Sequence, residues 1–242
     1  MTDPFLNREL ARFTEELKLL SDFPEEELVR IIKEVGFSCT GCGGCCTAGQ
    51  NGHVFLLDHD TRRAKEICPD TIIPAPFFEV CDKNGNFYVS GYALRTNPDG
   101  SCVHLIERRC QIYNDRFSIC RVYPYMLHRE PDEKGRLSFR QISGLNEHGE
   151  YNTLISEKES VSLAQETRSY EEGWLIQMIG FYRSLIDLFD RTGEKNVRKI
   201  YDQQMRAFLK GEPVRVFVFY EDEFTPHTIR IQDYRGIIQV QM

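Results

Sequence analysis

Four of the chain's nine cysteines fall within eight positions, in the run Cys39-Thr40-Gly41-Cys42-Gly43-Gly44-Cys45-Cys46. Thiolates bind soft and borderline cations at short distances, and gaps of two residues let successive sulfurs turn toward one centre. The interleaved Gly41, Gly43 and Gly44 serve that geometry. A residue without Cβ adopts positive φ at little cost, and its backbone N–H can approach a sulfur closely. A disulfide staple suits the run poorly, because the adjacent Cys45 and Cys46 do not both reach bridge geometry in so tight a loop. A metal-binding loop is the expectation.

The rest of the chain bears on what that metal does. The first ten residues contain no basic stretch leading into an apolar one, so no secretory signal is expected, and no run of about 18 apolar residues suggests a membrane span. An odd cysteine count argues against a disulfide framework, and together these features point to a reducing, cytoplasmic setting. With 242 residues, 41% of them hydrophobic, the chain can bury a core without a metal to fold it. The net charge of −7 gives no electrostatic reason to expect nucleic acid or an anionic membrane as a partner.

Hydrophobic spacing predicts two N-terminal helices. Leu6, Leu10, Phe13, Leu17 and Leu20 share one face, and Leu28, Ile31, Ile32 and Val35 share another, with Asp22 as candidate cap and Gly36 as the stop. After the loop come a short strand over 53–58, a helix over 61–68 and a hairpin of 77–81 with 87–94 across Asn84-Gly85. A turn over 97–100 precedes Cys102, and 137–142 reads as one more strand. From residue 157 onward no cysteine occurs. A long amphipathic helix running to Gly193, a second ending at Gly211, and two antiparallel strands over 214–220 and 228–240 are expected there. Trp174, Phe181, Leu185 and Phe208 are expected to pack among themselves. The fold expected is α+β, a single domain over 1–242 in which a cysteine-cluster core at 37–126 sits between N-terminal helices and a helical and β-strand extension at 157–242.

Three further thiols, Cys102, Cys110 and Cys120, follow at gaps of seven and nine residues. With the first loop they carry a resemblance. Phe37 leads a C-x-x-C-x-x-C-C loop ending at Cys46, and then come a C-x-x-L element at 102–105, a C-x-I-Y element at 110–117 and a C-R-x-Y-P element at 120–124. The chain thus resembles the YkgJ-type cysteine-cluster family, a zinc- or iron-chelating domain, with Phe117 where that family has proline and Tyr123 where it has phenylalanine. The resemblance implies metal binding, with iron–sulfur and zinc both proposed, and brings no single reaction with it.

Cys39, Cys42, Cys45, Cys46, Cys102, Cys110 and Cys120 are therefore the candidate metal and cofactor ligands. Seven thiolates around one zinc would gather more negative charge than a tetrahedral site needs, which favours an iron–sulfur cluster, or else two metals, with zinc as the alternative. The first three cysteines also have the spacing that opens a bacterial ferredoxin run. Arg108, Arg109, Arg116, Arg121 and Arg129 against Glu107 and Asp115 make 102–129 locally positive, as thiolates require. Tyr113 and Arg121 are candidates to hydrogen-bond the sulfurs. Cys68 and Cys81 read as small buried hydrophobes, and His53, His59, His104 and His128 as surface or core histidines that a metal site can recruit. No dinucleotide fingerprint, P-loop, nucleophile elbow or H-E-x-x-H occurs. Three roles remain: a redox or cluster-carrying protein, an enzyme whose metal serves the modification of a protein side chain, and a zinc-stabilised interaction module. A protein partner or protein substrate fits each.

Overall fold

Asp3 caps the first helix through its carboxylate, which accepts from the Phe5 amide at 2.9 Å, and Pro4 occupies the first turn, where a missing N–H costs nothing. The computed structural model describes residues 3–128, 133–134, 138–141 and 147–237. It opens with α1 (Pro4–Ser21) and α2 (Glu25–Val35), which bury the expected faces through Leu6, Phe13 and Leu20, then Leu28 and Ile32. Asp22 does not cap α2. It closes α1 instead, and Pro24 stands at the start of α2 with no side-chain cap, leaving three first-turn glutamates to face the positive end of the dipole. Gly36 ends α2 in the left-handed region at φ +54, where a Cβ would lie 2.4 Å from the Thr153 carbonyl oxygen.

The cysteine-bearing middle is built of short pieces. In chain order they are α3 (Ala48–Asn51), β1 (Phe55–Leu56), α4 (Asp58–Ile67), β2 (Ile72–Pro74), β3 (Val80–Cys81), β4 (Phe87–Val89) and β5 (Tyr92–Leu94). β6 (Leu105–Ile106), β7 (Arg109–Cys110), α5 (Ser118–Val122), β8 (Tyr125–His128) and β9 (Ser138–Gln141) follow. The strand expected over 53–58 shrinks to β1 because α4 begins at Asp58, ahead of the expected Thr61. β3 and β4 form the expected hairpin, its turn held by the buried Asp82 carboxylate, which accepts from the Asn84 and Asn86 amides at 2.8 and 2.9 Å. The second strand breaks at Ser90-Gly91, and β5 joins β1 and β2 in a separate sheet. Gly91 sits where a Cβ would meet the Gln177 amide at 2.7 Å and the Phe55 ring at 2.9 Å, so the chain there is shaped by close approach rather than by pairing.

The extension starts with α6 (Glu157–Thr192), 36 residues and so about 54 Å long, capped by Ser156 and ended by Gly193. α1, α2 and α5 all pack along it. Next come α7 (Arg198–Leu209), β10 (Val214–Tyr220) and β11 (Glu223–Ile229). The last two pair antiparallel as expected, but the second strand is 223–229 and not 228–240: Glu221 and Asp222 take the positive φ of a tight hairpin turn, and the chain leaves β11 in a short turn at Ile231–Tyr234. Residues 238–240 lie outside the described residues. β10 also pairs parallel with β4, giving a four-stranded sheet in the order β11-β10-β4-β3. That sheet ties the extension to the cysteine-bearing middle. Phe208 is consequently not a neighbour of Trp174, Phe181 and Leu185. It packs with Phe78 at 5.6 Å and Tyr234 at 5.9 Å in a second core, while the other three share the first core with α1 and α2.

Candidate metal centre

Past Gly36 the chain is fixed at both ends of the cysteine loop by backbone bonds to distant segments. Ser38 and Glu150 exchange a pair of hydrogen bonds at 2.8 and 2.9 Å, and Cys46 accepts from the Cys102 amide at 2.8 Å. Ala48 donates to Gly100 at 2.8 Å beside a bridge between Thr47 and Ser101, so the turn before Cys102 is zipped to the end of the loop. Inside the loop, Gly43 takes φ +80 and starts the short turn Gly44–Cys46. Gly44 has ordinary φ, and what requires glycine there is space: a Cβ would lie 2.6 Å from the His148 Cβ. Cys110 stands on β7 opposite Leu105, and Cys120 is carried by α5.

One cavity of about 830 Å³ is lined by all seven candidate cysteines and by neither Cys68 nor Cys81. Cys81 is buried in the second core, as expected, whereas Cys68 is half-buried at the end of α4. None of the nine cysteines is in a disulfide. Electrostatics tie the seven together unevenly. Cys120 is pushed up by burial and then by repulsion from Cys102, Cys46 and Cys110. Burial pushes Cys102 up to about 11, with Cys46 and Cys110 adding to it, and raises Cys110, which also feels Cys46 and Cys39. Every pair among Cys46, Cys102, Cys110 and Cys120 therefore interacts, which makes Cys46 central where the ferredoxin-like spacing places Cys39, Cys42 and Cys45 first. Cys45 and Cys46 share a proton. The Cys45 thiol is held up by its bond to Cys46, and Cys46, the acceptor, is drawn down to about 7, so one proton leaves the pair readily and the second does not.

Cys42 differs from the others. Its sulfur accepts from the amides of Gly44 and Gly149, and the first of these is the main reason its pKa is lowered. The glycine-rich loop thus supplies N–H groups to a sulfur, as expected. The arginines do not all serve as expected. Arg116 lowers Cys46 and Cys110, with its guanidinium 4.1 Å over the Tyr113 ring, but Arg108 and Arg109 are exposed in the β6–β7 turn and Arg121 pairs with Glu166 at 3.4 Å. Arg129 lies outside the described residues. Tyr113 hydrogen-bonds the Cys39 sulfur.

His53 and His104 line the cavity, His59 bonds the Ser118 hydroxyl at 2.8 Å, and the side chain of His128 lies outside the described residues. The Nε2 of His104 is buried without a hydrogen-bond partner. His148, which no motif marks, also lines the cavity: its ring stacks on Tyr123 and shares a 2.6 Å bond with that hydroxyl, while its Nδ1 has no partner. Tyr123, where the resemblance implies phenylalanine, thus has a polar partner. The only sequence signal for His148 is its position before Gly149, whose φ of +73 brings it against the Phe37 ring.

The residues fit a thiolate-bound metal by donor chemistry: seven thiols outside any disulfide on one cavity, the buried ones raised by burial and then by one another, and Arg116 beside Cys46 and Cys110. Among the described residues no three His, Cys, Asp or Glu side chains stand gathered as they would around a single ion.

Residues 38–150 match the family model CxxCxxCC, described as a putative zinc- or iron-chelating domain. Over those residues the chain is similar to this cysteine-cluster family, and zinc or iron chelation is what the family's description gives to the region. The match runs past the expected limit of 126 and takes in His148 and the strand bridge at Glu150. No curated protein and no solved structure matches the chain.

Proposed function

We propose that the seven-thiol basin holds an iron–sulfur cluster and that the protein has a redox or cluster-carrying role in the reducing cytoplasm. The observation that carries this reading is the single cavity lined by Cys39, Cys42, Cys45, Cys46, Cys102, Cys110 and Cys120 and by no other cysteine. Cys46, Cys102, Cys110 and Cys120 form the inner ligand set, with Cys39, Cys42 and Cys45 completing the shell. When bound, such a cluster supplies one-electron chemistry or a Lewis-acidic iron. The chain's own contribution is to hold thiolates: the Gly44 and Gly149 amides at Cys42, the Tyr113 hydroxyl at Cys39 and the Arg116 charge beside Cys46 and Cys110 each favour the deprotonated sulfur or fix its direction.

Anaerobically purified protein should be brown, absorb broadly in the visible and contain iron with acid-labile sulfide. Colourless protein with stoichiometric zinc and no sulfide, after growth with adequate iron, would replace the cluster by zinc.

A further inference from the structure

Two imidazole nitrogens of residues that line the cysteine cavity are buried and have no hydrogen-bond partner, Nε2 of His104 and Nδ1 of His148. Buried polar atoms are nearly always paired, so each of these needs a reason. His148 is the more tightly built of the two. It is 9% exposed, its ring stacks on Tyr123 with centroids 5.5 Å apart, and its Nε2 lies 2.6 Å from the Tyr123 hydroxyl.

Its neighbours in the chain place it against the thiol loop. The Gly149 amide donates to the Cys42 sulfur, and Glu150 exchanges backbone bonds with Ser38. A Cβ on Gly44, the residue before Cys45, would lie 2.6 Å from the His148 Cβ. Residues 148–150 thus clamp the loop between Ser38 and Cys45, and of the three only His148 brings a side chain to the cavity. Packing accounts for the stacking on Tyr123 and for the bond at Nε2. It leaves Nδ1 buried with its valence unused.

An imidazole that ligates a metal is ordinarily held through its other nitrogen, whose N–H donates to an oxygen and so fixes both tautomer and ring direction. Tyr123 offers that oxygen. With Nε2–H donating to it, Nδ1 keeps its lone pair. A metal ion in a protein site is stripped of water and sits about 2 Å from a nitrogen donor, so a ligand nitrogen need not be open to solvent.

We propose that His148, through Nδ1, is a nitrogen ligand of the metal that the thiols hold, with Tyr123 as its positioning residue. This rests on the metal-binding reading of the cysteines and not on which metal they bind. Thiolates with one imidazole are an ordinary zinc set, and on an iron–sulfur cluster an imidazole in place of a thiolate removes negative charge and raises the reduction potential.

The test uses full-length protein purified anaerobically from cells fed histidine with heavy nitrogen in the ring, its iron, zinc and sulfide measured first. If the metal is a cluster, pulsed electron paramagnetic resonance of the reduced protein should show the strong coupling of a directly bound imidazole nitrogen, altered by the label. If it is zinc, X-ray absorption at the zinc edge should show imidazole scattering beside sulfur. Either signature should persist in His104→Gln and in Tyr123→Phe. It should vanish in His148→Gln, whose amide can still reach Tyr123 but which has nothing at the place of Nδ1. Absence of an imidazole signature in the metal-loaded parent, its survival in His148→Gln, or its loss in His104→Gln would overturn the assignment. If His148→Gln retains no metal, the labelled parent and His104→Gln decide by themselves. Zinc without sulfide would overturn the cluster reading and leave His148 to the zinc spectrum, whereas protein that binds neither metal would overturn both.

Discussion

Glu79 gives a prediction whose size follows from its surroundings. Burial in the aromatic region raises its pKa from 4.5 to about 7, against hydrogen bonds from Ser90 that act the other way. The native state thus holds the Glu79 proton more tightly than the unfolded chain does. Below pH 4.5 both states are protonated and the group costs nothing; between 4.5 and 7 folding requires either burying a charge or taking up a proton, and above 7 the cost is complete. A shift of roughly 2.5 units at 1.36 kcal/mol per unit makes that cost about 3 kcal/mol at pH 8 and about 1 kcal/mol at pH 5.

Glu79→Gln removes the charge and keeps the acceptor that Ser90 uses. Its amide nitrogen takes the place of the unpartnered Oε2, which adds a penalty of about 1 kcal/mol that does not vary with pH. The observable is therefore the change with pH of the difference between variant and parent. Urea unfolding of both proteins, anaerobically at pH 5 and pH 8, should show the variant gaining about 2 kcal/mol on the parent over that interval. Cysteine titrations contribute equally to both proteins and cancel. A difference that stays flat to within about 0.5 kcal/mol, or one that favours the parent at high pH, would refute the reasoning, the second by requiring a cation beside Glu79.

Replacing Cys46, Cys102, Cys110 or Cys120 by Ser should abolish metal retention, while Cys68→Ser and Cys81→Ser keep it; metal analysis of the purified variants decides, and loss in Cys68→Ser equal to that in Cys102→Ser would show the ligand set to be wrong. In metal-free protein at pH 7, iodoacetamide should label Cys42, whose sulfur accepts amide N–H bonds, well before the buried Cys102 and Cys120, as read by mass spectrometry of peptides over time. Gly44→Ala puts a Cβ 2.6 Å from that of His148 and should cost about 1–3 kcal/mol and loosen metal retention, whereas an unchanged melting curve would mean the loop yields freely. Tyr123→Phe removes the 2.6 Å bond to His148 and should cost about 1 kcal/mol in unfolding experiments, with colour retained.

What the sequence discloses about this molecule divides along a physical line. Information that is local in the chain is legible: the helical faces of α1, α2 and α6, Gly36 and Gly193 as helix stops, the Asp82 turn, and the glycine-laced thiol loop all depend on residues within a few positions of one another. Even there, a competing local choice hides detail, as when Pro24 takes the place that Asp22 was expected to fill. The joining of the two cysteine segments was expected from thiol chemistry, but its means, the Cys102 amide on the Cys46 carbonyl, belongs to tertiary structure. The aromatic part of the cavity is different in kind. Trp174, Met178 and Tyr182 read as an ordinary packing face of α6 because their periodicity is that of packing, and Phe13 likewise on α1. That reading holds between the two helices, where Phe13 packs on Trp174 at 5.4 Å and on Tyr182 at 5.7 Å, and it says nothing of Glu79, which stands beside the short strand β3. A carboxylate near a strand end ordinarily points to solvent. It is buried here because Ser90, at the break between β4 and β5, supplies a hydroxyl to hold it, and that break is set by the approach of Gln177 and Phe55 to Gly91. The surroundings of Glu79 are thus assembled from three segments, none of which carries a signature of them alone.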